Sequence, residues 1–98
     1  MLSIAGAPLA RLVGAARPGR QHLGHPPSGA ADRWSFYWAR RLLDDDETIC
    51  YLEWSLSGLQ ACFDAPASLV LSGAPMRAWL DGAALARHCV VPVATGSR

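Results

Sequence analysis

The sequence predicts a β-rich α+β fold with one helix, arranged as an incomplete barrel. Short apolar pieces bounded by Gly and Pro occupy most of the chain, which is typical of strands. A single segment near residues 30–43 has helical periodicity, and strand-like pieces continue to Val93 with no closing element after them. At 98 residues the chain has room for one small domain.

Strands are predicted on both sides of the helix. Two short apolar pieces open the chain, and Leu52, Trp54 and Leu56 alternate with polar residues as in a half-buried strand. Asp81-Gly82 is a strong two-residue hairpin signal, and Pro92 marks an edge strand because proline cannot donate to a sheet. The remaining strands are predicted over residues 2–5, 9–13, 59–63, 67–72, 76–80 and 89–93.

The helix is predicted over residues 30–43. Ser28 is expected to cap its start, and Asp32 lies in the first turn, where the helix dipole favours negative charge. Carboxylates are unfavourable at a helix C-terminus, so the acidic run at residues 44–47 places the exit near residue 43 or 44. Apolar residues four apart predict the face turned toward the core: Trp34, Trp38 and Leu42.

Composition excludes several classes of protein. Nine Arg, no Lys and eight acidic residues give a net charge of +1, which does not fit a strongly basic nucleic-acid-binding module. No apolar run reaches the roughly 18–20 residues that span a bilayer. The cysteines are odd in number and irregularly spaced, which favours reduced thiols and a cytoplasmic protein: Cys50, Cys62 and Cys89.

The stretch from residue 14 to residue 29 is the most informative part of the sequence. Its glycines allow close approach to a ligand, and its prolines stiffen a loop that runs into the helix N-terminus. Exposed N–H groups at that point attract anions such as carboxylate or phosphate. Long ordered loops often carry functional sites, but an ordinary irregular connection explains the composition equally well.

Two chemical motifs in this loop are weak. His22-x-x-His25 resembles a metal-binding pair with Asp32 as a third ligand, but a zinc site needs three or four organised ligands. Ser28, His22 and Asp32 are the residue types of a hydrolytic triad, although Ser28-Gly29 is not a nucleophile elbow. We therefore predict no metal, and a histidine that shapes the loop is the plainer alternative.

Glu53 is a further candidate because it stands on the strand face opposite Leu52 and Trp54. A solvent-facing position is the simpler interpretation. If the sheet curls into a barrel, the same face lines a cavity, where the carboxylate pairs with Arg17 or Arg20 or holds a substrate amide.

At this loop the sequence resembles a known family. Five segments match the family's pattern in order along the chain. They are Arg17-Pro18-Gly19-Arg20-Gln21-His22-Leu23-Gly24 followed by Ser28-Gly29-Ala30-Ala31-Asp32-Arg33, Ala39 with Arg41-Leu42-Leu43, Leu52-Glu53 with Leu56 and Gly58, Leu71-Ser72-Gly73-Ala74, and Leu80-Asp81-Gly82. The pattern resembles the biotin-dependent carboxyltransferase family, which includes allophanate hydrolase subunit 2, KipA and the C component of bacterial 5-oxoprolinase. The family's Thr-x-Gln-Asp segment before the loop reads Arg11-Leu12-Val13-Gly14 here.

The resemblance implies a cyclophilin-like barrel fragment, with residues 1–98 as the N-terminal portion of a carboxyltransferase-type domain. It implies either a component of an ATP-dependent amide hydrolase (5-oxoprolinase) or a carboxyltransferase domain acting on a urea-type amide. The implied partner is a KipI-like protein, equivalent to the B component of 5-oxoprolinase, with no nucleic acid and no membrane. No cofactor is expected on this fragment, because ATP or biotin is implied only for the family's complex.

The predicted site is one wall of a pocket for an amide or carboxylate. His22 and Arg17 are expected to contact an anionic or carbonyl oxygen, and Glu53 is expected to orient the amide. Two alternatives stay open: a non-catalytic regulatory or vestigial module that binds a KipI-like partner by strand addition, and a fragment that does not fold alone. The expected cradle for the substrate oxygen is Ser28 with the N–H groups of Gly29 and Ala30, and Asp32 completes the substrate-binding set.

Overall fold

The structure is a computed structural model that describes residues 2–6, 9–14, 19, 21–24, 29–44, 51–56 and 58–98. Its described part is mostly short strands with a single α-helix, so the predicted β-rich class with one helix is confirmed. A 3₁₀ turn over Gln21–Leu23 precedes the helix. In chain order the elements are β1 Leu2–Ala5, β2 Ala10–Val13, α1 Arg33–Leu43, β3 Tyr51–Trp54, β4 Gln60–Phe63, β5 Ala67–Leu69, β6 Trp79–Leu80, β7 Ala83–Ala84 and β8 Val91–Val93.

The strands form four antiparallel pairs: β1 with β4, β2 with β3, β5 with β8, and β6 with β7. Within the described residues these pairs do not join into a closed barrel. Each of these strands has one strand partner in the described part of the chain.

Two glycines allow the segment that follows β1 and the segment that precedes β4 to approach each other closely. Gly6 and Gly58 both have positive φ, +67° and +99°. A Cβ on Gly6 would lie 2.6 Å from the Gly58 carbonyl oxygen, and a Cβ on Gly58 would lie 2.9 Å from the Gly6 carbonyl oxygen. Only glycine fits both positions without displacement of the backbone.

The hairpin between β6 and β7 confirms the Asp81-Gly82 turn. Both residues have positive φ, 51° and 82°, as a type I′ turn requires. Strand β6 covers only Trp79–Leu80, so the strand predicted over residues 76–80 is shorter than expected. The predicted edge strand is also confirmed, since β8 pairs only with β5 among the described strands and Pro92 faces Ser68.

The C-terminal residues connect separate strand pairs. The Phe63 N–H donates to the Ser97 carbonyl at 2.9 Å, and the Gly96 N–H donates to the Phe63 carbonyl at 2.6 Å. The Asp81 N–H donates to the Arg98 carbonyl at 2.8 Å. The tail thus joins β4 to the β6–β7 hairpin, and Ser97 is buried with 5% of its surface exposed.

Helix α1 begins three residues later than predicted. Its N-cap is Asp32, whose side chain accepts from the Ser35 N–H, and so the Ser28 cap and the start at residue 30 were wrong. The exit prediction is confirmed, because Asp44 forms the C-cap in the left-handed conformation with φ 58° and donates its N–H to the Arg40 carbonyl.

The apolar stripe of α1 does not face the core, which corrects the sequence prediction. Trp34, Trp38 and Leu42 are all exposed, whereas Phe36 on another face of the helix is half-buried and packs edge-on against Tyr51 at 4.8 Å between ring centroids. Few of the described residues are buried, so the interior is small, as expected for a short chain. The buried residues are Ala30, Leu71, Val93 and Ser97. No helix in the described ranges has both the length and the apolar character needed to cross a bilayer.

Candidate functional site at the start of the helix

Glu53 on β3 is the centre of a hydrogen-bonded cluster. The β2–β3 register places Arg11 directly opposite it. Arg11 Nε lies 3.0 Å and Arg11 Nη2 lies 2.6 Å from the same oxygen, Glu53 Oε1. Opposite charges facing each other across two strands stabilise the pair, and this contact fixes the position of the carboxylate.

The same carboxylate binds the chain that leads into α1. The Ala31 N–H donates to Glu53 Oε2 at 2.9 Å and to Glu53 Oε1 at 3.1 Å. The Asp32 N–H donates to Glu53 Oε2 at 3.2 Å. These are N–H groups of the kind that a helix N-terminus offers to an anion, and here an internal carboxylate takes that place.

The environment of Glu53 favours its ionised form. Partial burial by itself raises the pKa of this carboxyl, but the Arg11 hydrogen bonds, the N–H groups of Ala31 and Asp32 and the Arg11 charge together hold the pKa below its ordinary value. The side chain of Glu53 is 21% exposed and that of Arg11 is 57% exposed. In the Arg11–Glu53 ion pair, Glu53 is therefore the partner that is less exposed to solvent.

Asp32 closes the first turn of α1. Its Oδ1 accepts from the Ser35 N–H at 3.0 Å, and its Oδ2 accepts from the Ser35 hydroxyl at 2.6 Å. The Ser35 hydroxyl and N–H lower the pKa of Asp32, because both bonds favour the charged carboxylate. The side chain of Asp32 thus binds the helix, whereas its backbone N–H binds Glu53.

A third segment reaches the same place from further along the chain. The Ser72 hydroxyl donates to the Ser35 carbonyl at 3.1 Å. A Cβ on Gly73 would lie 3.8 Å from Ser35 Oγ and 3.9 Å from Asp32 Oδ2, so this backbone runs close beside the cap. Arg87 Nη1 holds the Gly73 carbonyl at 3.0 Å.

A groove of about 390 Å³ lies beside α1 at this junction. His88 stands at its rim with a positive φ of 58°, an uncommon conformation for a residue other than glycine, and its N–H donates to the Leu71 carbonyl. The groove is mostly apolar, with serine hydroxyls on one side. Its lining residues are Trp34, Ser35, Trp38, Leu42, Ser72 and His88.

The structure brings part of the predicted site together. Gly29, with φ +87°, and the buried Ala30 lead directly to Asp32, and Glu53 binds this segment. His22 lies exposed in the 3₁₀ turn, and no hydrogen bond or ion pair within the described residues joins it to Glu53 or Asp32. Arg17 and Ser28 lie outside the described residues, as do Arg20 and His25.

Among the described residues, Arg11 on the adjacent strand pairs with Glu53. The predicted pairing of Glu53 with Arg17 or Arg20 stays a prediction, because both arginines lie outside the described residues. Arg11 belongs to the segment that stands in place of the family's Thr-x-Gln-Asp, and it supplies a polar group beside the loop. The expected action of Glu53 on a substrate amide stays a prediction.

Sequence reasoning missed Arg11 and Ser35 as parts of the site. Arg11 could be found only from the β2–β3 register, which local periodicity does not give. Ser35 had a local signal, because Asp followed three residues later by Ser is compatible with an N-cap at Asp32. Ser72 was noted as part of a motif, but its contact with the helix spans 37 residues of sequence.

Comparison with known proteins identifies the family of the chain. Residues 23–98 match the carboxyltransferase domain, subdomain A and B. The chain belongs to the carboxyltransferase domain family. It is also 32% identical over 81 residues to the urea amidolyase of Saccharomyces cerevisiae. That alignment covers 83% of this chain and 4% of the relative, so the chain spans only a small part of that protein's length.

In this carboxyltransferase-domain chain, three of the resembling segments meet at one point. The segment ending at Asp32, the strand with Glu53 and the segment with Ser72 and Gly73 all contact the start of α1. Residues far apart in the sequence therefore form a single cluster.

A carboxylate occupies two N–H groups at the helix start of the carboxyltransferase-domain chain, and it would repel the phosphates of ATP at this position. In the described ranges no group of three or more His, Cys, Asp or Glu could hold a metal ion.

Proposed function

We propose that this chain is the N-terminal portion of a biotin-dependent carboxyltransferase-like protein, and that the start of α1 forms one wall of a pocket for a small amide. The substrate class is a urea-type amide or a small cyclic amide such as 5-oxoproline. The observation that carries the proposal is the convergence of Glu53, Asp32 and Ser72 on the same helix start.

The backbone N–H groups of residues 29–32, just before α1, have two different roles in this proposal. Glu53 takes those of Ala31 and Asp32. The proposed donors to a substrate carbonyl oxygen are the N–H groups of Gly29 and Ala30, which come just before this segment in the chain, together with the hydroxyl of Ser28. Glu53 then acts as a positioning residue that holds the donors in place, and through them it orients the amide.

The remaining roles rest on position in the loop. His22 and Arg17 contact the anionic or carbonyl oxygen of the substrate. His22 is exposed and so is accessible to a small molecule. A neutral or charged imidazole can donate to a carbonyl oxygen, and a guanidinium can neutralise a carboxylate such as that of 5-oxoproline.

The relative supports the urea-type substrate, because its name is urea amidolyase. In this proposal ATP and biotin belong to a larger assembly, which contains a KipI-like protein equivalent to the B component of 5-oxoprolinase. The protein is proposed to act in the cytoplasm, in line with its irregularly spaced cysteines.

Calorimetric titration of urea and of 5-oxoproline into the full chain, with and without the KipI-like partner, tests the proposal. We expect one of the two amides to bind, and His22→Ala to weaken that binding about tenfold or more through loss of a hydrogen bond to a bound oxygen. Arg77→Ala is the control, since it removes an exposed cation outside both the loop and the groove. Equal affinity for His22→Ala and the unchanged chain contradicts the role of His22, and no binding of either amide contradicts the pocket.

A second candidate is a non-catalytic module that binds the KipI-like partner by strand addition. The observation that favours it is that each described strand has one strand partner, which leaves edges for an added strand. Co-purification followed by an ATPase assay separates the candidates. A stable complex without amide-dependent ATP turnover favours the module, and turnover that depends on the amide favours the pocket.

A further inference from the structure

The two carboxylate oxygens of Glu53 have different partners. Arg11 contacts Oε1 twice, from Nε at 3.0 Å and from Nη2 at 2.6 Å. The Ala31 N–H lies closer to Oε2, at 2.9 Å, than to Oε1, at 3.1 Å, and the Asp32 N–H donates to Oε2 at 3.2 Å. Arg11 therefore holds one oxygen from β2, and the other oxygen binds the segment that leads into α1.

The contact with Arg11 restricts the direction of the whole carboxylate. The β2–β3 register places Arg11 directly opposite Glu53, so the guanidinium approaches from the neighbouring strand and not from the loop. The last torsion of a glutamate side chain is broad, which lets a carboxylate without a fixed partner rotate. Two charge-assisted N–H donors on Oε1 limit this rotation and leave Oε2 directed at residues 31 and 32. Arg11 thus acts on the start of the helix through Glu53.

We propose that Arg11 is a positioning residue for the amide pocket, and that it acts through Glu53 on the backbone of residues 29–32. The inference rests on the proposed function, in which this backbone forms the wall that receives the substrate oxygen. Arg11 orients the carboxylate, the carboxylate holds the N–H groups of Ala31 and Asp32, and the residues just before them keep a fixed place. Donors that are fixed before the substrate arrives bind it with a smaller loss of entropy, so Arg11 should strengthen amide binding without touching the amide.

The charged and titratable groups that face Glu53 make this positioning depend on pH. In the described part of the chain Arg11 is the cation in contact with it, the Asp32 carboxylate is directed at Ser35, and Tyr51 lies two residues away on β3. Partial burial raises the pKa of Glu53, and the hydrogen bonds and charge of Arg11 act against this rise. Removal of Arg11 should therefore raise the pKa of Glu53, so that the carboxylate is protonated, and its bonds to the helix start weaken, at a higher pH.

Arg11 can be removed with little effect on folding, which makes it suited to a functional test. Its side chain is 57% exposed, and solvent screens an ion pair at that exposure. Leu12 offers a matched control on the same strand, because its side chain is 72% exposed and neighbouring residues of a strand point to opposite faces. Leu12→Ala thus brings the same alanine into β2 without a change at Glu53.

NMR spectroscopy of the full chain measures the positioning in the absence of any amide ligand. In Arg11→Ala the N–H resonances of Ala31 and Asp32 should shift, and the carboxyl carbon of Glu53 should titrate at a higher pH than in the unchanged chain. Arg11→Lys should restore part of both, because an ammonium keeps the charge but lacks the fixed pair of donors. Leu12→Ala should leave both as they are. Resonances and a titration that are the same in Arg11→Ala as in the unchanged chain overturn the inference.

Calorimetric titration with urea and with 5-oxoproline measures the effect on the pocket. For the amide that binds, we expect Arg11→Ala to weaken binding about three- to tenfold at neutral pH, as for the loss of about one hydrogen bond. This variant should also lose binding in acid at a higher pH, with Arg11→Lys between it and the unchanged chain. Equal affinity and an equal pH profile for Arg11→Ala and the unchanged chain overturn the inference and leave the pocket in place. Binding of neither amide by the unchanged chain contradicts the proposed function, and with it the role of Arg11 in the amide pocket, whereas the NMR comparison separately supports or overturns its action on the helix start.

Discussion

Arg11 and Glu53 face each other directly across the β2–β3 pair, and Arg11 Nη2 lies 2.6 Å from Glu53 Oε1. The carboxylate held by this contact also accepts from the N–H groups of Ala31 and Asp32. One side chain thus fixes a strand pair and the start of the helix to each other. Removal of the carboxylate should therefore affect more of the structure than removal of the guanidinium.

Glu53→Ala is expected to lower the free energy of unfolding by about 1.5–3 kcal/mol, because it removes charge-assisted hydrogen bonds and leaves N–H groups unpaired. Arg11→Ala is expected to cost less than about 1 kcal/mol, since Arg11 is largely exposed and solvent screens such pairs. Urea denaturation measures both changes.

Amide hydrogen exchange locates these effects. In Glu53→Ala the N–H groups of Ala31 and Asp32 should exchange faster, and in Arg77→Ala, a control at an exposed cation, they should exchange at the original rate. A larger loss of stability for Arg11→Ala than for Glu53→Ala would show that the strand pair, and not the helix start, depends on this contact.

Acid should lower the free energy of unfolding because it protonates the Glu53 carboxylate. Its pKa in the folded state is below the ordinary value near 4.5, so the unfolded state binds more protons in this range. The stabilisation from Glu53 is present above pH 4.5 and is lost as the pH falls through the lower folded-state pKa. Thermal denaturation between about pH 6 and pH 3 should show a shallower decline for Glu53→Gln than for the unchanged chain. Parallel declines would mean that other carboxyl groups, such as Asp32, dominate acid unfolding.

Asp32→Ala should shorten α1 at its first turn and lower the free energy of unfolding by about 1 kcal/mol, as is usual for loss of an N-cap. Asp32→Asn should cost less, because an amide oxygen can still accept from the Ser35 N–H. Far-ultraviolet circular dichroism and denaturation measure these changes. If Asp32→Ala matches the unchanged chain in both, the contact of Ser72 with the Ser35 carbonyl holds the helix start without the cap.

The crossing of Gly6 and Gly58 should be intolerant of side chains. Gly6→Ala places a Cβ 2.6 Å from a carbonyl oxygen at a φ of +67°, and it should cost at least about 1–3 kcal/mol. Gly14→Ala is the matched control, since no described residue lies within 4 Å of its Cβ and its φ is outside the left-handed region. Similar melting temperatures for the two variants would contradict the close crossing.

Local signals in the sequence were enough to predict many elements. The Asp81-Gly82 turn follows from two residues that tolerate positive φ, and the edge position of Pro92 follows from its missing N–H. The helix exit follows from carboxylates that a helix C-terminus disfavours. Each of these depends on one or two adjacent residues, so no knowledge of the tertiary fold was needed.

Other features depend on contacts that sequence periodicity does not contain. The stripe of Trp34, Trp38 and Leu42 has the spacing of a buried face, but burial needs a surface opposite, and in this structure Phe36 meets Tyr51 instead. The pairing of Glu53 with Arg11 required the strand register. The helix begins at Arg33 because Asp32 caps it, and Glu53 binds the N–H groups of Ala31 and Asp32 just before that point.

The hydrogen bonds of residues 96–98 give this short segment an unusual importance. Arg98 accepts from the Asp81 N–H and donates its own N–H to Asp81 Oδ1, while Gly96 and Ser97 bind Phe63. Proteolytic removal of these three residues would therefore break the hydrogen bonds that connect the β6–β7 hairpin and β4 to the same segment. Limited digestion followed by mass spectrometry should consequently find the segment resistant in the folded protein, and cleavage elsewhere should accelerate once it is lost.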